Sequence, residues 1–184
     1  MMNLKTYLNE YVSLIMNDEI TKKLEYFGQR LQTHRNQDGR LLIFGNGASA
    51  STASHAALDF TKQGKIEANC FHDPALLTAF SNDYGFENAF KEILNAYYRS
   101  NDIVIFISVS GESPNIISAL DRAKELGLYS VGFSGRDQDN TVAKQSDLSF
   151  WVNSHAYNIV ENLHSIWITS MIDYLVGHAT YEVK

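Results

Sequence analysis

The chain has 184 residues, of which 45% are hydrophobic, and a formal net charge of -6 at pH 7. This length fits one compact domain with its own hydrophobic core, so we expect a single domain over residues 1–184, with a helical arm over 1–36 and an α/β core over 37–184. The negative charge, with no cluster of lysine and arginine, argues against binding to nucleic acid.

The sequence also indicates a cellular compartment. Cys70 is the one cysteine, so no internal disulfide can form. The first residues lack the apolar core of a secretory signal, and no run approaches the roughly 20 apolar residues of a membrane helix. We therefore expect a cytoplasmic protein that does not contact membranes.

In chain order, the first elements are two helices ahead of any strand. Apolar residues recur at helical spacing over residues 3–17, with Asn3 as a suitable N-cap, and a second helix is predicted over 18–36. An apolar arm of this kind usually packs on the sheet or on another subunit. We therefore expect a homo-oligomer.

Strands and helices alternate through the rest of the chain. Strands are predicted over residues 40–44, 75–79, 103–107, 130–134 and 148–152. Helices are predicted over 49–63, 87–98, 114–126, 141–145 and 158–177, with a capped turn over 81–87. The pattern predicts an α/β fold, a three-layer sandwich with a mostly parallel five-stranded sheet.

Two polar loops follow two of the predicted strands. Residues 45–52 carry glycine, asparagine and serine after the first strand, and residues 108–113 are rich in serine after the strand at 103–107. Loops at the carboxyl ends of parallel strands meet at one edge of the sheet. Backbone N–H groups, hydroxyls and helix N-termini suit a phosphate, so we predict one phosphorylated ligand between the loops.

Nucleotide cofactors are the alternative ligands for such loops. Residues 45–50 match a loose G-x-G-x-x-A, but the acidic residue expected further on would be Glu67 or Asp73, and neither follows a convincing apolar run. No Gly-Lys-Ser/Thr occurs, which excludes a nucleoside-triphosphate loop. We expect no nucleotide cofactor, although a serine cluster alone is also compatible with ordinary turn chemistry.

Two helices carry candidate reactive side chains. His55 and Asp59 are four residues apart and share a helix face. The same spacing would also occur in an ordinary surface pair, or His55 could be a histidine whose polar atoms are satisfied in the core. Glu161 and His164 lie one turn apart on an apolar helix, where charged groups need a partner or a role. Asp83 is either a capping residue or a site residue.

Together these motifs resemble the sugar isomerase (SIS) domain family, and within it the phosphoheptose isomerases. The resemblance spans most of the chain, and its motifs are residues 45–49, the helix with His55 and Asp59, and residues 82–86, 108–115 and 161–164. It implies a homotetramer with active sites shared between subunits. It also implies isomerisation of sedoheptulose 7-phosphate to an aldose heptose 7-phosphate through an enediolate and, in several members, a zinc ion.

The resemblance also implies roles for individual residues. The residues expected to bind the phosphate are Ser49, Ser108, Ser110 and Ser113. The residues expected to line the rest of the substrate site are Asn46, Gly47 and Asp83. Asp59 takes the position of the catalytic base, with Glu161 and His164 as further catalytic residues. The possible zinc ligands are His55, Asp59 and Glu161.

The sequence departs from the family mostly at the reacting end of the site. In the family, the position of Asp59 is a glutamate, that of Glu161 a glutamine, that of Thr169 a histidine and that of Gln63 an arginine. The position of Val109 is often a threonine. Three hypotheses therefore stay open: this isomerase, an isomerase of another phosphosugar, and a SIS module that binds a sugar phosphate or a protein without turnover.

Overall fold

The structure, a computed structural model, describes residues 2–15 and 18–180. In chain order its elements are α1 (Leu4–Ile15), α2 (Asp18–Arg35), β1 (Leu41–Gly45), α3 (Ala48–Lys62), β2 (Ala68–Cys70), α4 (Pro74–Tyr84), α5 (Phe86–Tyr97), β3 (Ile103–Ser108), α6 (Pro114–Glu125), β4 (Tyr129–Ser134), α7 (Thr141–Gln145), β5 (Leu148–Trp151) and α8 (Tyr157–Val176). The last two residues of the first predicted helix, 16 and 17, lie outside the described residues. Within the described ranges, no helix has the length and apolar character needed to cross a bilayer.

The sheet has five parallel strands in the order β2-β1-β3-β4-β5. Leu41 pairs with Ala68 on one side and with Ile103 on the other, and β4 then joins β3 to the edge strand β5. Strands β1 and β3 are buried throughout, because helices cover both faces of the sheet. The predicted fold class is confirmed.

Alternate residues of the central strands point into two separate cores. Ile43 and Ile105 pack in the core that includes residues of α2, α3 and α8, with residues of α1 against it. Phe44 and Phe106 stack in the core on the other face, which α5 and α6 cover. These two cores separate the three layers of the sandwich.

One predicted strand was wrong. Residues 75–79 lie inside α4, and the strand that pairs with β1 is β2, a few residues earlier. The Asp73 side chain accepts a hydrogen bond from the Leu76 N–H at 3.0 Å, and Pro74 occupies the first turn. A capping aspartate followed by proline starts a helix, and this local signal outweighs the short apolar run.

The turn predicted over residues 81–87 is also shorter than expected. Helix α4 continues to Tyr84, and the chain breaks at Gly85 alone, where φ is 79°. Helix α5 then begins at Phe86. Glycine tolerates this positive φ, so one residue separates the two helices.

The helical arm packs on its own core. In α1, Tyr7, Tyr11, Leu14 and Ile15 contact the core, and the Asn162 side chain on α8 donates to the Tyr11 hydroxyl at 2.8 Å. Another row on α1 is exposed, namely Leu4, Leu8 and Val12. An apolar row of this kind is typical of a surface that another protein chain covers.

A buried ion pair joins the two central strands at the end opposite the polar loops. The Arg40 guanidinium contacts the Asp102 carboxylate twice, at 3.0 and 2.8 Å, and both side chains are buried. Asp102 also accepts the backbone N–H of Arg99 at 2.6 Å. The pair therefore connects the beginning of β1 to the segment that enters β3.

Candidate active site

The first loop turns tightly between β1 and α3. Gly47 has a φ of 57° and lies directly before α3. A Cβ atom on Gly45 would lie 2.7 Å from the backbone of Ser49, so only glycine allows this close approach. The turn buries Ser49 at the beginning of the helix.

The second loop presents serine oxygens around its own backbone. The Ser108 hydroxyl oxygen accepts the Gly111 N–H at 3.2 Å, and the Ser110 hydroxyl oxygen accepts the Glu112 N–H at 3.1 Å. Ser108 and Ser113 share a hydrogen bond of 3.2 Å between their hydroxyls. Because Ser110 accepts this backbone bond, its own hydrogen remains available to a ligand.

An asparagine pair joins the two loops. Asn46 and Asn115 exchange two side-chain hydrogen bonds, each of 2.9 Å, and Asn115 is buried. Asn115 lies inside a motif of the family resemblance but was not predicted as a site residue. Its sequence signal is weak, since an asparagine in the first turn of a helix usually caps that helix.

A cavity of about 60 Å³ lies between these loops and α8. It is lined by Asn46, Ser49, Ile107, Ser108, Val109, Ser110, Ser113, Tyr157 and Glu161. Six predicted site residues therefore come together, and Gly47 lies in the first loop beside them. Sequence reasoning did not identify Tyr157.

Glu161 is the acidic group of the cavity. Burial raises the pKa of Glu161 above its ordinary value. Among the described residues, none donates a hydrogen bond to this carboxylate or forms an ion pair with it. Glu161 is therefore an open acceptor on the wall that faces the serine loop.

His164 does not reach the cavity, although it lies on the same helix. Its ring is fully buried, with Nε2 3.1 Å from the Ser134 carbonyl oxygen and an edge-on contact with Phe133. A carbonyl only accepts, so Nε2 carries the proton, and Nδ1 has no partner among the described residues. Burial lowers the pKa of His164 to about 4. His164 is therefore a neutral histidine of the core, outside the cavity lining.

His55 and Asp59 form a pair further along α3. The His55 Nε2 atom lies 3.0 Å from the Asp59 carboxylate, and both side chains are accessible to solvent. Asp59 follows Ser49 by ten residues, which places it about 15 Å along the helix axis. Neither residue lines the cavity.

Asp83 also lies away from the cavity. It is exposed near the end of α4, where the neighbouring Asn82 side chain donates to its carboxylate at 2.9 Å. This geometry is local to α4. The structure of one chain therefore leaves Asp83 apart from the serine loop.

The possible zinc ligands are not brought together in one chain. Among residues 2–15 and 18–180, no three His, Cys, Asp or Glu side chains lie close enough to hold one metal ion. His55 and Asp59 are adjacent, but Glu161 is not grouped with them. Within one chain, these three residues are not placed to hold a zinc ion together. We therefore assign no step of the reaction to zinc.

Comparison with known proteins identifies the family. The SIS domain family model matches residues 6–135. The phosphoheptose isomerase of Helicobacter pylori (strain HPAG1) is 34% identical over 158 residues, which cover 83% of this chain and 81% of that protein. The chain belongs to the SIS domain family and, within it, to the phosphoheptose isomerases.

Other members of this phosphoheptose isomerase family match almost the whole chain. The phosphoheptose isomerase of Fusobacterium nucleatum is 33% identical over 181 residues, covering 94% of this chain and 93% of that protein. The structure of phosphoheptose isomerase GmhA from Neisseria gonorrhoeae superposes with a TM-score of 0.84 at 28% identity, covering 94% and 97% of the two chains. The likeness therefore includes the arm as well as the α/β core.

Proposed function

We propose that this protein converts sedoheptulose 7-phosphate into an aldose heptose 7-phosphate. The relatives named phosphoheptose isomerase support the substrate class. The observation that carries the proposal is the convergence of two loops, joined by Asn46 and Asn115, on a cavity with serine hydroxyls. This arrangement suits the phosphate end of a sugar.

The phosphate would be held by neutral donors. Ser49 lies at the beginning of α3, and Ser113 directly precedes α6, so the cavity lies at two helix N-termini. Helix N-termini and hydroxyls bind phosphate without basic side chains. The acidic net charge of the chain is compatible with such a site.

Isomerisation also needs a base next to the substrate carbonyl. We propose Asp59 for this role, with His55 orienting its carboxylate through the 3.0 Å contact. Ser49 and Asp59 are separated by about 15 Å along α3, and Asp59 does not line the cavity. The base would therefore come from a neighbouring copy in a homo-oligomer, for which we propose a tetramer.

The exposed apolar row on α1 supports association between copies. Leu4, Leu8 and Val12 are 62%, 53% and 65% exposed. Covering such a row removes apolar surface from water, which favours association. The arm is therefore the surface through which we expect the copies to meet.

A turnover assay tests the proposed function. The purified full-length chain is incubated with sedoheptulose 7-phosphate, with and without added zinc, and the aldose product is followed by NMR. We expect product in at least one of the two conditions. Absence of product in both would contradict the isomerase assignment.

One observation favours a second candidate, a SIS module that binds a sugar phosphate without turnover. The family resemblance places a histidine at the position of Thr169, and the Thr169 hydroxyl donates to the Ser165 carbonyl oxygen of its own helix at 2.9 Å. Such a hydroxyl is not available as an acid or base. A sugar phosphate that raises the melting temperature while no product forms would favour this candidate.

A further inference from the structure

Two histidine side chains bind backbone carbonyls at the two ends of β1. The His34 Nε2 atom lies 3.0 Å from the carbonyl oxygen of Arg40, which directly precedes the strand. The His72 Nε2 atom lies 3.0 Å from the carbonyl oxygen of Gly45, the last residue of the strand. A carbonyl only accepts, so in both rings Nε2 carries the proton. The His72 contact lies where β1 enters the loop that leads to α3.

His72 supplies a donor where the pairing between β1 and β2 has ended. The register of β2 with β1 runs as far as Cys70 and Ile43. Strand β1 continues to Gly45, which is buried and stays in register with Ile107 of β3. A buried carbonyl at a strand end needs a donor. The His72 side chain, two residues after β2, provides it in place of a further strand residue.

The His72 ring is fixed in one orientation. It contacts Phe90 of α5 edge-on, with the ring centroids 6.3 Å apart. Burial lowers the pKa of His72, so the ring is neutral at pH 7 and its single proton is on Nε2. The Nδ1 atom is buried and has no partner among the described residues. Within the part of the chain that the structure describes, the ring therefore makes one hydrogen bond, and its acceptor is Gly45.

The contact with Gly45 continues into the cavity wall. A peptide unit is planar, so the direction of the Gly45 carbonyl fixes the plane from which Asn46 continues. The Asn46 carbonyl accepts the Ser49 N–H at 3.0 Å, and the Asn46 side chain exchanges two hydrogen bonds of 2.9 Å with Asn115. Asn46 and Ser49 both line the cavity. His72 therefore holds the residue from which this wall of the cavity begins.

We propose that His72 is a positioning residue, whose Nε2–H group holds the loop between β1 and α3 in the conformation that binds the substrate phosphate. The inference rests on the proposed function, because this loop is one of the two assigned to the phosphate. His72 does not line the cavity and acts through Gly45 and Asn46. Loss of its donor weakens phosphate binding and leaves the reacting end unchanged.

Calorimetric titration with inorganic phosphate tests the role of the donor. His72→Leu and His72→Phe both remove it, and the phenylalanine keeps an aromatic ring beside Phe90. We expect each of these variants to bind phosphate about tenfold more weakly than the wild-type protein. His72→Gln keeps a side-chain N–H donor of similar reach, and its affinity should stay within about threefold of the wild-type value.

His34 provides a matched control on the same strand. It is buried and makes the same kind of hydrogen bond, of the same length, at the end of β1 remote from the cavity. His34→Leu should lower the free energy of unfolding in urea and leave the affinity for phosphate within about twofold of the wild-type value. A loss of affinity as large as that of His72→Leu would show general destabilisation and would overturn the proposal.

Steady-state kinetics with sedoheptulose 7-phosphate separates positioning from a purely structural role. For His72→Leu and His72→Phe we expect a KM about tenfold higher, with kcat within about twofold of the wild-type value. A general loss of folded protein would instead lower the apparent kcat and leave KM unchanged. That second pattern would also overturn the proposal.

The outcomes separate this inference from the isomerase assignment. Unchanged phosphate affinity in both variants without the donor, an equal loss in His72→Gln, or no binding of phosphate by the wild-type protein would overturn it, even if sedoheptulose 7-phosphate is turned over. A loss of affinity in His72→Leu and His72→Phe that is absent from His72→Gln and His34→Leu supports it, even if no turnover is found.

Discussion

At the scale of single residues, the phosphate assignment depends most on Ser110. Its oxygen accepts the Glu112 N–H, so its hydrogen is free for a ligand in the cavity. Ser110→Ala removes this donor, and we expect about tenfold weaker binding of sedoheptulose 7-phosphate by calorimetry. Ser118→Ala, on α6 outside the cavity lining, is the control. Equal affinity in the Ser110→Ala variant would count against the phosphate assignment.

A substitution of Asp59 tests the proposed base separately from the phosphate-binding loops. Asp59→Asn keeps the shape of the side chain and removes the carboxylate that would abstract the proton. Because Asp59 does not line the cavity, we expect nearly unchanged affinity for the substrate and a fall in kcat of at least about a hundredfold. Steady-state kinetics would measure both values, and Asp121→Asn, an exposed residue of α6 outside the cavity lining, is the control. A variant that keeps its turnover would show that another group is the base.

The position of the site residues shows what sequence reasoning could and could not predict. The serine loop and the glycine loop were predicted correctly as neighbours, because both follow buried parallel strands. Glu161 and His164 are three residues apart, yet only Glu161 lines the cavity while His164 packs against Phe133. Residues three apart differ by about 60° around a helix, and the packing of α8 decides which of them faces the cavity.

At the scale of elements, the central strands are held by the Arg40–Asp102 pair at the end remote from the site. Asp102→Ala removes both carboxylate contacts of the buried Arg40 guanidinium, which keeps the Tyr97 carbonyl at 2.9 Å and the exposed Glu67 carboxylate at 3.6 Å. We expect a loss of about 3–5 kcal/mol in the free energy of unfolding, measured by urea denaturation. Replacing both residues, as Arg40→Met with Asp102→Leu, should restore part of this loss. A loss below about 1 kcal/mol in Asp102→Ala would contradict a structural role for the pair.

The secondary-structure elements were predicted correctly where a buried strand has a clear apolar pattern in the sequence. Strands β1, β3, β4 and β5 are found within a residue of their predicted bounds, because each is a continuous or alternating apolar run. Strand β2 was missed because its three residues are only half-buried at the sheet edge, so they form no apolar run. The run at 75–79 was instead assigned as a strand, although Asp73 and Pro74 start a helix there.

At the scale of the whole molecule, buried His164 couples folding to pH. Its pKa falls from 6.5 to about 4 in the folded chain, so the unfolded chain binds the proton more readily. The contribution of neutral His164 to the free energy of unfolding is fully present above about pH 6.5. It decreases as the pH falls towards 4, by up to about 3 kcal/mol. Burial also lowers the pKa of His72, which adds to the loss in the same direction.

Urea denaturation between pH 7 and pH 4.5 would measure this loss. His164→Gln keeps a donor for the Ser134 carbonyl and removes the titrating group, so its stability should depend less on pH than that of the wild-type protein. His155→Gln changes an exposed histidine and serves as the control. An equally steep fall in the His164→Gln variant would show that other groups cause the acid sensitivity.

For the whole molecule, we assign the substrate phosphate to the two loops of one chain and the reacting end to a neighbouring copy. The most direct test is a crystal structure of the protein with sedoheptulose 7-phosphate bound. The account predicts the phosphate between the two loops, within hydrogen-bonding distance of the Ser108, Ser110 and Ser113 hydroxyls. A phosphate bound elsewhere, with the cavity between the loops left to solvent or side chains, would contradict it.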